Sequence, residues 1–220
     1  MNKELKKRII TSVFLLSLFV FMFFYSFILI TGLIIISIIS WIEFYGLISK
    51  IFTRKKFRNK ILKFTYKSIS LMYLFFLVSF ILVIEANNPE LKIFIIYSIL
   101  VSILSDVGGL IIGRYFKGKK LTKISPKKTV SGSIGAFIFS LSLIPFFIED
   151  FTNQDFFSLF IITLIISFAS QIGDLFFSFL KRKANVKNTS DLLPGHGGIL
   201  DRIDGMIFAI PTGFFLLNYL

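Results

Sequence analysis

The sequence predicts an all-α protein, a polytopic transmembrane helical bundle of about seven spans with its N-terminus in the cytoplasm. Three observations predict it. Of 220 residues, 55% are hydrophobic, and the mean hydropathy is +0.82, a balance foreign to soluble domains of this length. Apolar runs near twenty residues recur along the chain, the length that crosses a hydrocarbon core of about 30 Å. The basic residues fall in a few clusters between those runs: Lys3–Arg8, Lys50–Lys67, Arg114–Lys128 and Lys181–Lys187. Counting Arg202, these hold 24 of the 25 Lys and Arg, with Lys92 the exception. The segments around Glu85–Lys92 and Glu149–Asp155 are acidic or nearly neutral. That asymmetry is the positive-inside pattern and puts the basic loops in the cytoplasm.

The net charge of +13 would suit nucleic acid, but its distribution assigns it to topology, with attraction to anionic lipid headgroups as a second benefit. With no cysteine, disulfide and thiol chemistry are excluded. The basic start followed by an apolar run has the outline of a signal peptide, but the run continues to Ile48 with one charge and no small-residue cleavage site, so it reads as an uncleaved anchor. No internal repeat or soluble domain is evident. The chain reads as a single integral membrane domain over 1–220, with N-terminal spans in 9–90 and core spans with their cytoplasmic loops in 91–220.

Residues 9–48 are flanked by basic residues on both sides, which requires an even number of crossings. Two helices of about 18 residues, each roughly 27 Å long, fit, with a turn between Tyr25 and Gly32. Glu43, beside Trp41, reads as an interfacial anchor, with a catalytic role as the alternative. Lys50–Lys67 reads as a basic linker, 68–84 as a third span, and Asn87-Asn88-Pro89 as a turn. The fourth span, 91–113, carries Ser98, Ser102, Ser105, Gly109 and Gly113 on one face, a stripe that lets another helix come close. A fifth span at 131–148, a sixth at 156–180 and a last from Arg202 to Leu220 complete the bundle.

Two carboxylates fall inside this frame. Asp106 precedes Arg114 by eight residues, about 12 Å, and Asp174 precedes Lys181 by seven, about 10 Å, so both lie at similar depth from the cytoplasmic side. An intramembrane acid costs roughly 2.5–3.5 kcal/mol, which a wet cavity or a bound cation would offset. Ser170, Asp174, Ser178 and Lys181 form a polar stripe within about 80° of helix, flanked by Gln171. The structural alternative is that Asp174 pairs with a nearby Lys or Arg and the serines bond back to their own helix.

Two glycine-bearing segments carry the remaining chemistry. The first runs from Asp106-Val-Gly-Gly through Gly113-Arg114 and Gly118-Lys119-Lys120 to Ser125-Pro126-Lys127-Lys128-Thr129-Val130-Ser131-Gly132. Lysines with Ser, Thr and Gly around a proline turn can hold phosphate by charge and by backbone N–H, or can simply be a solvated topogenic loop. No P-loop is present. In the second, Pro194-Gly-His-Gly-Gly-Ile-Leu-Asp-Arg-Ile-Asp204, Asp201 and Asp204 at i and i+3 share a face at the start of the last helix. A divalent cation on two such carboxylates plus phosphate oxygens is the usual Mg²⁺ arrangement. Gly197 and Gly198 admit close approach of a ligand, and Arg202 can neutralise charge on a transferring phosphoryl group. His196, the only histidine, is by itself as consistent with a structural hydrogen bond, and zinc finds no other His or Cys.

These segments resemble phosphatidate cytidylyltransferases (CDP-diacylglycerol synthases). Ser178, Lys181-Arg182, Lys187 and Pro194 to Asp204 are similar to that family's C-terminal signature. The run from Asp106 to Gly132 is similar to its second block, and Gln171 with Gly173-Asp174-Leu175 extends the match, which covers about 100–208. The resemblance implies conversion of CTP and phosphatidate to CDP-diacylglycerol and pyrophosphate with Mg²⁺, in a bacterial-type inner (plasma) membrane with the site facing the cytoplasm. It implies Asp174, Asp201, Asp204 and Asn188 around the metal, and Lys181, Arg182, Lys187 and Arg202 around phosphates. Ser178, His196, Gly197, Gly198, Lys127, Lys128 and Asp106 would contact or line the substrates. A second, monovalent cation and a homodimer stay open.

The sequence departs from the family at Asn188, where an aspartate is usual and where Asp191 could substitute, and at Ser131, where Glu is frequent. The chain is also short for the family. The alternatives are a CTP-dependent lipid or polyprenol kinase, an ion or lipid transporter using Asp106 and Asp174, and an inactive homologue.

Overall fold

The computed structural model describes residues 3–53, 56–122, 125–151 and 155–219. Arg54 and Lys55 of the expected linker, Lys123 of the basic cluster 114–128, Asn153 and Gln154 of the acidic loop, and both chain ends lie outside the described residues. Every regular element described is helical: α1 (Lys3–Phe24), α2 (Ser26–Ile51), α3 (Phe57–Asn87), a 3₁₀ turn at Pro89–Leu91, α4 (Lys92–Phe116), α5 (Val130–Leu141), α6 (Ile144–Phe147), α7 (Phe156–Lys183), α8 (Leu200–Ile203) and α9 (Met206–Tyr219). Among the described residues, five stretches are long and apolar enough to cross a membrane: Ser26–Ile51, Phe57–Asn87, Pro89–Phe116, Val130–Phe147 and Phe156–Lys183. The other two expected spans correspond to shorter apolar helices, Ile9–Phe24 and the 14-residue α9.

Two expectations about local structure change. Most of the basic stretch 50–67 is helical rather than a linker. α2 runs to Ile51 and α3 starts at Phe57, because Lys and Arg are good helix formers and lengthen α3 beyond its apolar part. The last span does not run unbroken from Arg202: α8 ends at Ile203, and Asp204-Gly205 form a turn before α9. Asp204 therefore lies beyond the end of the helix that carries Asp201, and the i, i+3 argument, which assumed one continuous helix, does not hold.

The chain divides into two compact units, Met1–Asn87 with Leu180–Ile203, and Asn88–Phe179 with Asp204–Leu220. In the first, α1 and α2 are separated by one extended residue, Tyr25, at φ −122° and ψ 107°. The chain folds back there. The Met22 Sδ lies 3.1 Å from where a Cβ on Gly32 would stand, whereas ten residues of unbroken helix would separate the two by about 15 Å. α2 and α3 are antiparallel, tied by Ser26 Oγ donating to Glu85 Oε1 at 2.6 Å at one end and Trp41 Nε1 donating to the Lys67 carbonyl at 3.4 Å at the other. Phe44, Leu47, Ile48, Leu74, Leu77 and Ile81 are buried in this unit.

In the second unit the small-residue stripe of α4 works as its sequence implies. Ser98, Ser102 and Ser105 are buried, and the helix crosses α5 so closely that a Cβ on Gly132 would lie 2.8 Å from the Gly109 carbonyl oxygen. Gly108 and Gly135 pack on each other, and Gly135 also meets the Ile112 side chain. Ser102 Oγ meets Ser170 Oγ at 2.8 Å, Ser167 donates to Ser105 at 3.1 Å, and the Tyr97 hydroxyl meets Thr163 Oγ1 at 2.5 Å, joining α4 to α7. Tyr97, Val101, Leu159, Ile162, Ile166 and Ala209 centre the core.

Gly135→Val should overpack the α4–α5 crossing and destabilise the protein by about 1–3 kcal/mol. Gly46→Ala, with nothing within 4 Å of the new methyl, should be neutral or mildly stabilising. Thermal unfolding of the two variants in detergent checks the contrast.

Candidate functional site

The first unit contains the segment from Lys181 to Ile203. α7 ends in Lys181-Arg182-Lys183, and Asn185 takes a left-handed conformation at φ 54°, which asparagine tolerates. The chain then reaches Leu193-Pro194-Gly195-His196. There the His196 N–H donates to the Leu193 carbonyl at 2.9 Å and Gly195 has φ 79°. Proline at the second position and glycine at the third are what a type II turn demands. Gly197 follows at φ 88°, a conformation that favours glycine.

Two carboxylates hold this loop. Asp201 Oδ2 accepts the N–H of Thr189 at 2.8 Å and of Gly198 at 3.1 Å, and its Oδ1 accepts Lys181 Nζ at 2.6 Å. The pair is largely shielded, with side chains 13% and 6% exposed. Burial alone would push the Asp201 carboxyl up. The hydrogen bond and charge of Lys181, with the two backbone N–H groups, outweigh it and hold the group below the usual carboxylate range.

Glu43, 5% exposed on α2, does the same from the other side. Its Oε1 accepts Ser190 Oγ at 2.6 Å and Ile199 N–H at 3.1 Å, and its Oε2 accepts Leu200 N–H at 2.9 Å. The Thr189 hydroxyl lies between the two acids, 2.8 Å from Glu43 Oε2 and 3.0 Å from Asp201 Oδ2, so its one proton serves either. Gly198 sits against Thr189 Oγ1 and the Glu43 carboxylate with no room for a Cβ.

Of the other expected residues in this unit, Asn188 is exposed but its side chain lies beside Gly197, 3.2 Å from where a Cβ would stand. Arg202 Nη2 donates to the His196 carbonyl at 2.9 Å, and His196 Nε2 meets Ser12 Oγ at 3.3 Å. Thr11 Oγ1 donates to the Pro194 carbonyl at 3.1 Å, so α1 also supports the turn. Arg182, Lys187 and Asp191 are exposed.

The second unit brings together residues from three sequence blocks. Lys128 forms an ion pair with Asp174, both about one-quarter exposed, and Ser178 donates to Asp174 Oδ1 at 3.3 Å. Lys128 is delivered by a short turned segment: its N–H donates to the Ser125 carbonyl at 3.0 Å, with Pro126 at the second turn position, and Leu121 N–H donates to the Lys128 carbonyl at 2.8 Å. Thr129 then caps α5, its Oγ1 accepting Gly132 N–H at 3.0 Å. Asp204 is buried and its Oδ1 accepts the Gly205 N–H at 3.0 Å. Gly173, the residue before Asp174, packs on the Asp204 carbonyl and on Gly205, so Asp174 and Asp204 belong to one crossing of α7 with the start of α9. Gln171 Oε1 accepts Ser133 Oγ at 2.5 Å. Lys127 and Asp106 are exposed.

The functional residue that sequence reasoning undervalued is Glu43. The signal was present: it is the one charge in a 40-residue apolar stretch, and acids in such places seldom lack a purpose. Thr189 and Ser190, which bind it, gave no signal of their own. No three His, Cys, Asp or Glu side chains gather into a metal cage among the described residues.

Lys181→Met would leave a buried carboxylate without its cation and should cost about 3 kcal/mol at neutral pH. Because the folded Asp201 titrates below its unfolded value of about 3.9, the pair's contribution is complete above that pH. It is lost as pH falls through the lower, folded value. Unfolding midpoints of wild type and variant should therefore differ most near neutrality and converge below about pH 4, which a thermal series in detergent measures.

Comparison with known proteins adds the family. Residues 4–220 match the profile described as the cytidylyltransferase family. A phosphatidate cytidylyltransferase of Rickettsia typhi is 40% identical over 142 residues, 61% of this chain and 61% of that protein. One of Rickettsia felis is 45% identical over 119 residues, 50% and 52% of the two chains, and one of Staphylococcus haemolyticus 44% identical over 130 residues, 58% and 48%. The aligned part is thus about half to three-fifths of these relatives' lengths. With a match that runs over nearly all of its residues, the chain belongs to the cytidylyltransferase family.

Proposed function

We propose that this chain is a phosphatidate cytidylyltransferase, converting CTP and phosphatidate to CDP-diacylglycerol and pyrophosphate. The observation that carries the reading is the family match over residues 4–220, together with relatives of that name at 40–45% identity. An oxygen of the lipid phosphate forms the new bond to the α-phosphorus of CTP, and the bond from that phosphorus to the α–β bridging oxygen breaks, releasing pyrophosphate. Such a displacement asks the protein for alignment and for stabilisation of spread negative charge rather than for covalent chemistry.

The residue types suit a hard divalent cation: Asp174 follows Gly173, which packs on the Asp204 backbone, so two carboxylate-bearing residues flank one helix crossing, and fewer than three acids leave positions for phosphate oxygens, as Mg²⁺ prefers. When bound there, Mg²⁺ would neutralise phosphate charge and polarise the reacting phosphoryl group. Lys128, now paired with Asp174, would turn to phosphate when the carboxylate meets the cation, and exposed Lys127 adds charge beside it. In the first unit Arg202 and the exposed Arg182 and Lys187 are the phosphate-binding groups. Asn188 offers an amide oxygen beside Gly197 where the family usually has aspartate.

Asp201 has a different part from the one its spacing suggested. Its oxygens are occupied by Lys181, Thr189 and Gly198, so in this reading it fixes the loop and keeps Lys181 in place rather than serving first as a metal ligand. His196 and Gly198 act through that loop. The topology proposed with this function is seven spans, with Ile9–Phe24 and α9 as first and last. The N-terminus and the basic loops lie on the cytoplasmic side of an inner membrane, where CTP is available. A homodimer and a second, monovalent cation are compatible with it.

Purified protein given CTP, Mg²⁺ and phosphatidate should yield CDP-diacylglycerol by mass. With a lipid alcohol in place of phosphatidate, release of CDP with a phosphorylated lipid would instead identify a kinase, and no turnover on either lipid an inactive homologue. Asp204→Asn should lower the rate about a hundredfold or more with the unfolding temperature little changed, while Asn188→Asp should keep or raise it. A reporter fused after the last residue should read as non-cytoplasmic, and a cytoplasmic signal would remove one span.

A further inference from the structure

α3 is 31 residues long, about 46 Å, whereas a bilayer core takes roughly twenty residues. The surplus is its first three turns, which carry Lys60, Lys63 and Lys67 on one face at i, i+3 and i+7. Opposite them on α2 stand Trp41 and Tyr45, one turn apart. Between the two helices is an open cavity of about 540 Å³ lined by these five residues, with Phe64 and Leu71 among the apolar ones.

The cavity is rich in uncompensated positive charge. Lys67 is 9% exposed, and its Nζ lies 2.9 Å from the centroid of the Tyr45 ring, an attraction through the ring's quadrupole. No carboxylate among the described residues pairs with Lys60, Lys63 or Lys67. Three ammoniums on one helix face repel each other, and burying one without an anion is unfavourable. A phosphate group offers several acceptor oxygens and up to two negative charges. The aromatic pair is of the kind that marks the headgroup level of a membrane, and the apolar residues beside it suit the upper part of acyl chains.

We propose that this groove binds the phosphate of an anionic phospholipid headgroup, with a phosphomonoester favoured over a diester by its extra charge. It is separate from the loop held by Glu43. Glu43 is two residues from both Trp41 and Tyr45, so it points about 160° away from each around α2, and groove and loop occupy opposite faces of that helix.

Trp41 is the only tryptophan in the chain and reports on the groove directly. Full-length protein in phosphatidylcholine nanodiscs, titrated with phosphatidate and without CTP, should show a saturable change in Trp41 emission, an outcome independent of any catalytic turnover. Lys60→Gln with Lys63→Gln should weaken the apparent affinity roughly tenfold or more. Lys56→Gln with Arg58→Gln, the same loss of charge outside the groove, should leave it nearly unchanged. Phosphatidylglycerol, a diester, should bind more weakly than phosphatidate. Equal weakening by the two double variants would reduce the effect to general surface attraction and overturn the site. Saturation by inorganic phosphate with no response to phosphatidate would overturn the lipid assignment.

Discussion

The first unit depends on a buried carboxylate meeting backbone that has no other partner. Glu43 comes from a helix otherwise suited to hydrocarbon, and its oxygens would be costly there alone. The N–H groups of Ile199 and Leu200, at the start of a helix too short to satisfy them, would be costly too. Each solves the other's problem, and the hydroxyls of Thr189 and Ser190 complete the set. Asp201 repeats the arrangement from within the loop, with Lys181 as counter-charge. The loop is thus defined by acids rather than by apolar packing, which keeps its outer side, with Arg182, Lys187 and Asn188, open to solvent.

The second unit is organised by the absence of side chains. Where α4 meets α5, glycines let backbones touch, and where α7 meets the start of α9, Gly173 and Gly205 do the same. This is how a helical membrane protein gains packing energy when lipid offers no hydrophobic drive. It also places Asp174 and Asp204 at a crossing too tight to drift, while Lys128 arrives on a turn shaped by Pro126.

Helix positions were legible because apolar runs have a length set by the bilayer. The small-residue face of α4 was legible because its periodicity is that of a helix. The breaks at Tyr25 and at Asp204-Gly205 were harder: apolar composition continues on both sides of the first, the second falls in a mixed charged and apolar stretch that reads as the first turn of a helix, and the deciding contacts are with other helices. The basic stretch before Lys67 misleads because a run of charge reads as a loop, although lysine is at ease in helices. Glu43 could be noticed but not explained: its partners lie 146 to 157 residues away. For Asp174, the sequence offered two readings, a cation site and a pair with a nearby base. The structure shows the pair with Lys128.

The three hydroxyl contacts between α4 and α7 have a mechanical consequence. Shifting one helix along the other by a single turn, about 5.4 Å, would part Tyr97 from Thr163, Ser102 from Ser170 and Ser105 from Ser167 together, with no water in hydrocarbon to take their place. The three bonds therefore resist sliding together. A change in bilayer thickness would have to break all of them before this pair could shear, whereas tilting of the pair as a block or deformation of the surrounding lipid leaves them intact.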